Sequence, residues 1–384
     1  MLHISKLALK RWAAFMLAAA MAVPCAVLSV AVHGGAGDMP IEIYLNGTRL
    51  ESDVAPVLKE DRTFVPVRVI GEALGFAVGY SDGLVTFRHG GLGTEISMTV
   101  GDPVAYVDGR RIELPVPTFI EDGRTMAPVR FLSEALDSRV DWVPGYGAGP
   151  DSVVIHCPHP VDTSGGRAKI ATRVEERRWE LAGGYSGTVE IYYDLCIPVF
   201  TIPGDEAFAS MLNESIDSLS EFRRNAIEEV YKEQLGVSPE YLGSARYDAY
   251  EEFSYRVVGG KGHVLSMKIE GYSYYGGAHG MPFWSSLNID FAQSKALALP
   301  DLFKPGEDYK ATLFREMGAL RQANPEEYDG VEEASHIDDS SFYFEGGDLV
   351  LYYHPYDLSY YARGFVEFRI PLGRLAGQLK DEYL

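Results

Sequence analysis

Only three of the 384 residues are cysteine, and one of them, Cys25, lies inside an apolar N-terminal run. The remaining pair, Cys157 and Cys196, is too few for a disulfide-dense scaffold. Two arrangements stay open for it: one disulfide in an oxidising compartment, or two small buried thiols. Cations are scarce as well. The 34 Lys and Arg against 55 Asp and Glu leave a net charge of −21. Phosphate recognition needs clustered Lys and Arg, and the chain has no basic patch interleaved with aromatics, which argues against nucleic acid as a partner. No serine or cysteine sits in a nucleophile-elbow context, and no His-Glu-x-x-His pair occurs. Neither a metal nor an organic cofactor is expected.

What is present is apolar and aromatic side chain, 46% and 12% of residues. That suffices to fill cores in two or three domains at this length. Lys6, Lys10 and Arg11 precede an uncharged run from Trp12 to about Val32, and Ser29-Val30-Ala31 offers small residues for cleavage after Ala31. The run is also long enough to persist as a membrane anchor. Pro24 before Cys25 suits lipidation poorly. Cleaved or retained, residues 1–33 form a targeting segment. The membrane is met only through it, and the rest of the chain is expected outside the cytoplasm, because positive charge stays inside.

An internal repeat follows. Thr63-Phe-Val-Pro-Val-Arg-Val-Ile-Gly-Glu-Ala-Leu-Gly75 returns 62 residues later as Thr125-Met-Ala-Pro-Val-Arg-Phe-Leu-Ser-Glu-Ala-Leu-Asp137. Upstream of each copy is a hairpin signal, Asn46-Gly47 and Asp108-Gly109. Each block reads as a strand entering a short helix at Pro66 or Pro128. Val67, Ile70 and Leu74 line one helical stripe, and Val129, Leu132 and Leu136 the other. Neither half is large enough to stand alone, so the two are expected to pack together. These residues, over 41–157, resemble the copper amine oxidase N-terminal-like domain, a stalk module of exported proteins. The resemblance implies an accessory, wall-facing module and not an oxidase.

Pro158–Arg167 is turn-rich, and a linker is expected over 158–180. The second domain, 181–384, reads as long aromatic strands at Val189–Val199, Ala245–Val258, His263–Tyr275 and Trp284–Phe291. A long helix is predicted at Asp205–Gln234, with Phe208, Leu212, Ile216, Leu219, Phe222, Ala226 and Val230 on one face. A second helix is predicted at Tyr309–Gln322. Strands at Leu349–His354 and Phe365–Ile370 and a short helix with Leu372, Leu375 and Leu379 close the chain. The fold class is thus α+β in two domains, a duplicated sheet-plus-helix module and an antiparallel sheet packed on one long helix.

Tyr274-Tyr-Gly-Gly-Ala-His-Gly280, Asn288-Ile-Asp290, Leu299-Pro-Asp-Leu-Phe303 and Pro355-Tyr356 to Tyr361-Ala362-Arg363-Gly364 appear in that order. They resemble the extracellular domain shared by RsiV-type lysozyme-sensing anti-sigma factors and PdaC-type peptidoglycan deacetylases. Beside those relatives, the recognition part alone is expected, without a deacetylase domain or a sigma-binding segment. Binding without covalent chemistry is therefore expected, with peptidoglycan or a basic wall-active protein such as lysozyme as partner. The rivals are a glycan hydrolase or deacetylase role and a structural spacer. The expected ligand contacts are Tyr274, Tyr275, His279, Tyr356, Tyr360 and Tyr361. His279 suits a titrating role, and a histidine between glycines at a strand end equally suits a structural one. His156-Cys157-Pro158-His159 lacks a fourth donor and a fixed geometry, so it reads as polar residues and not a metal site. The acidic segment Glu326–Asp339 has no Asp-x-Asp-x-Asp-Gly loop and reads as solvated surface.

Overall fold

A computed structural model describes residues 41–384 apart from 61, 91–92, 136, 144–149, 163–165, 184–186 and 238–245. Residues 1–33, expected to be a targeting segment, and Leu136 of the second stripe lie outside the described residues. Two compact units form. One extends to residue 174 and includes 198–213, and the other comprises 175–197 and 214–384. Among the described residues no helix is long and apolar enough to cross a membrane.

The first unit opens with β1 (Glu42–Leu45) and β2 (Thr48–Arg49), joined at Asn46 and Gly47. Both turn residues hold positive φ, 43° and 75°, the type I′ geometry that Asn-Gly favours. Asn46 is also fully buried. Its amide donates to the carbonyls of Cys157 and Ile170 at 3.0 and 2.9 Å. Its oxygen accepts from Cys157 N at 2.7 Å and Thr172 Oγ1 at 2.8 Å.

Then come β3 (Val57–Lys59), β4 (Arg62–Pro66) and α1 (Val67–Ala73). A five-stranded antiparallel meander follows: β5 (Ala77–Ser81), β6 (Leu84–Arg88), β7 (Glu95–Thr99), β8 (Val104–Val107) and β9 (Arg110–Glu113). The second repeat is β10 (Phe119–Glu121), β11 (Arg124–Pro128), α2 (Val129–Glu134), β12 (Arg139–Val143) and β13 (Ser152–His156). The two copies pair directly, β4 against β11 antiparallel with Ala127 opposite Val65. Val67, Ile70, Leu74, Val129 and Leu132 share one core. Each half thus buries the stripe the other leaves open.

Where a linker was expected, β14 (Val161–Asp162) pairs with β15 (Lys169–Ala182). Its charges obscured this strand. In the second unit Arg177 meets Glu228 at 3.5 Å, Glu175 meets Arg224, and Trp179 stacks on Tyr231 at 4.8 Å. An alternation of salt-bridged residues reads as linker composition until the partners are known.

The second unit continues with β16 (Thr188–Thr201), α3 (Glu206–Leu235), β17 (Ala249–Lys261), β18 (Val264–Tyr275), β19 (Met281–Asp290) and β20 (Lys295–Ala296). After α4 (Leu299–Leu302) and α5 (Tyr309–Ala323), β21 (Phe342–Glu345), β22 (Asp348–Tyr353) and β23 (Val366–Pro371) form a small antiparallel sheet. Leu299, Leu313, Phe342, Leu351, Phe368 and Leu375 anchor its core. The predicted C-terminal helix is instead a 3-10 turn at Leu372–Leu375, followed by Leu379 bridged to Phe303. The three leucines are buried as expected, but Gly373 and Gly377 disfavour a regular helix there.

Candidate functional site

Successive residues of a strand face opposite sides. On β18, Tyr272 and Tyr274 therefore share one face, and Ser273 and Tyr275 the other. Register places Tyr192 of β16 opposite Tyr250 of β17, and Tyr250 opposite Tyr274. The rings form a row: Tyr192 and Tyr250 stack at 5.1 Å and 10°, Tyr250 and Tyr272 at 6.0 Å and 22°, and Tyr250 lies 5.4 Å from Tyr274. All four are half-buried, leaving ring surface open. Arg178 lies 4.5 Å above the Tyr192 ring, and the Tyr192 hydroxyl donates to Glu252 at 2.6 Å. Burial, then this carboxylate, pushes the Tyr192 phenol well above its ordinary range. Burial also raises Tyr250 and Tyr274. Tyr192, Tyr250 and Tyr274 are therefore protonated phenols.

The opposite face is closed. Glu251 and Arg223 of α3 form a buried ion pair at 3.2 Å, and Arg223 donates to Ser273 Oγ at 2.7 Å. The guanidinium sits 3.6 Å from the Phe283 ring. The Tyr275 hydroxyl donates to Glu251. Burial raises the Glu251 carboxyl, against the pull of Arg223. Tyr275, expected as a ligand contact, belongs to this internal network. The reason is strand alternation, which turns it away from Tyr274.

At the end of β18 the chain turns through Gly276 and Gly277, both at positive φ. Gly280 N then donates to the Tyr272 hydroxyl at 2.9 Å. A Cβ at Gly280 would lie 2.3 Å from the Tyr272 ring, so this approach admits glycine alone. The turn presents His279 outward. Its imidazole stacks on Tyr361 at 3.8 Å and 20°, and Nε2 lies 3.3 Å from the Tyr356 hydroxyl. Tyr361 donates to Gly280 O at 2.8 Å. Tyr272 therefore touches both the tyrosine row and this aromatic corner.

The loop carrying Tyr356, Tyr360 and Tyr361 is held at several points. His354 Nε2 lies 2.9 Å from Trp284 O, and burial holds its imidazole below the ordinary histidine range. Ser359 donates to Gly330 O at 2.8 Å, Arg363 to Asp329 O at 2.9 Å, and Glu332 N to Leu358 O at 2.7 Å. The acidic segment expected to be mere solvated surface thus fixes the site loop through its backbone. It leaves Glu326, Glu327, Glu332 and Glu333 exposed beside it.

Of the expected contacts, His279, Tyr356 and Tyr361 come together. Tyr274 lies in the adjoining row, and Tyr360 is 62% exposed beside Gly330. Sequence reasoning passed over Tyr192, Tyr250 and Tyr272. The i, i+2 spacing of Tyr272 and Tyr274 was the available signal. Two motif carboxylates are structural. Asp290 accepts from Ala292 N, Gln293 N and Tyr383, and Asp301 accepts from Ala298 N. In the first unit His156 faces Asp141 at 3.2 Å. Cys157 and Cys196 are both buried, and the disulfide left open by the sequence is not formed.

Three family models match this chain. The copper amine oxidase N-terminal domain matches residues 44–147, deacetylase PdaC residues 186–282, and a protein of unknown function, DUF3298, residues 300–373. These are the domains that the residues themselves resemble. A DUF3298 family member from Bacteroides fragilis is similar at 20% identity and TM-score 0.43, covering 55% of this chain and 95% of its own. A DUF3298 family protein from Pseudomonas aeruginosa is similar at 22% identity and TM-score 0.40, covering 56% and 95%. No curated protein matches.

Proposed function

We propose that this is a cell-envelope recognition protein that binds the glycan of peptidoglycan outside the cytoplasm, with no covalent step. The observation that carries the reading is the row of Tyr192, Tyr250, Tyr272 and Tyr274, which the Gly280 backbone ties to the corner of His279 and Tyr361. Sugar rings expose apolar C–H faces that settle on the negative faces of aromatic rings. Their hydroxyls find partners at the rim, in protonated phenols, the Glu252 carboxylate and the His279 imidazole. Half-buried rings supply contact area at little entropic cost, because their neighbours already hold them. The deacetylase PdaC match covers β16, β17 and β18, which carry the row, and the resemblance of this region to peptidoglycan deacetylases supports a wall glycan here.

Sedimentation with purified, protein-free peptidoglycan tests this. The full chain should pellet with the wall, and Tyr250→Ala and His279→Ala should each lower retention. Unchanged retention in both variants would refute the assignment.

A second reading, capture of a basic protein such as lysozyme, draws on the net charge of −21 and the exposed glutamates beside the site loop. Salt separates the two. Charge steering weakens with ionic strength, whereas stacking on tyrosine does not.

A further inference from the structure

The groove of the first unit has no part in the glycan reading and stands apart from it. It lies between α1, the β5–β6 hairpin and the β10–β11 turn, and encloses about 530 Å³. That is within the size range of small-ligand sites, roughly 300–1,000 Å³. Val67 and Val78 give it an apolar floor, and Tyr80 and Ile120 stand at its walls, 54% and 46% exposed. At one end Arg124 is neutralised by Asp53 through a forked contact. On α1, Arg68 and Glu72 are four residues apart and so share a helix face. Both are exposed, and neither makes an ion pair with any described residue.

We infer that this groove binds a short peptide with small apolar side chains and both termini charged. Arg68 would take the carboxylate, Glu72 the ammonium, and the valines with Tyr80 the methyl groups. One unanswered charge of each sign excludes a phosphate polymer, which Glu72 repels. Guanidinium and carboxylate pair through two parallel hydrogen bonds, which fixes the ligand's direction. The repeat keeps the same residue types. Sixty-two residues on, Arg130 is exposed and Trp142 is 41% exposed. Neither the arginine nor an outward aromatic is needed to fill the shared core, yet both return.

Trialanine, trialanine amide and N-acetyl-trialanine, titrated into the full chain by calorimetry, test the assignment. Trialanine should bind saturably. The amide and the Arg68→Gln variant should each bind at least about tenfold more weakly, as expected when a charge-assisted hydrogen bond is lost. Glu72→Gln should weaken trialanine but not its acetylated form. Arg110→Gln, on exposed β9, is the control and should change nothing. Equal binding of acid and amide, full retention in Arg68→Gln, competition by inorganic phosphate at equal concentration, or no saturable heat from any peptide would each overturn it. All three variants are at exposed positions, so their melting temperatures should match the parent chain.

Discussion

The imidazole of His279 lies flat against the ring of Tyr361, 3.8 Å between centroids, while Tyr361 donates to the carbonyl of the residue after His279. Two segments 82 residues apart are thereby locked into one corner. Tyr361→Phe keeps the stack and loses the hydrogen bond. Tyr361→Ala loses both. A ring pair is worth about 0.5–1.5 kcal/mol beyond its buried area. Glycan retention should therefore fall several-fold in Tyr361→Ala and little in Tyr361→Phe, and sedimentation of the two side by side reads the difference.

Glu251 and Arg223 are buried at 1% and 6% exposure. Removing one member of such a pair costs about 3–5 kcal/mol, because the other charge is left in a low dielectric. Glu251→Gln should lower the urea midpoint of the second unit, with a loss of unfolding free energy in that range. Arg223→Met with Glu251→Leu should recover most of the loss. A midpoint unmoved by Glu251→Gln would show that the pair contributes nothing.

Burial depresses His354, and Trp284 O and Asp357 only partly oppose it. The folded state thus prefers the neutral ring, and stability from this site is present above the ordinary histidine range. It is lost as pH falls through that range toward the depressed value, because only the unfolded chain then takes up a proton freely. Melting temperature should drop between about pH 7.5 and 5, near and below the ordinary histidine value. His354→Gln should flatten that slope.

Much of the fold could be read in the residues because local and tertiary signals agreed. The Asn46-Gly47 turn needs positive φ, and both residues adopt it. The repeat demanded a partner for each apolar stripe, and β4 pairs with β11. Helix α3 buries Phe208, Leu212 and Ile216 of its apolar stripe, but Phe222 is exposed and the buried face of the later turns is Ser220, Arg223 and Ile227. What was hidden depended on partners distant in sequence. β15 reads as linker because its charges find their ion pairs elsewhere in the chain. Tyr275 reads as a twin of Tyr274 until the pleat separates them. The row through Tyr192 and Tyr250 exists only once two parallel strands bring those positions level, and no motif in either strand announces it.

Asn46 makes its four buried hydrogen bonds from a left-handed backbone. Asn46→Ala leaves the Cys157 amide and two carbonyls without that partner, and buried unsatisfied groups cost about 1–3 kcal/mol each. A loss of several kcal/mol in the first unit is expected, measured by chemical denaturation. Asn46→Asp should also destabilise, since it keeps the acceptor and discards both donors.

The most direct test is calorimetric titration of N-acetylglucosamine oligomers into the full chain, with released acetate and new reducing ends assayed in the same sample. Saturable heat that disappears in Tyr250→Ala, with no product formed, is the expected result. Absence of binding, or release of either product, would contradict recognition without chemistry.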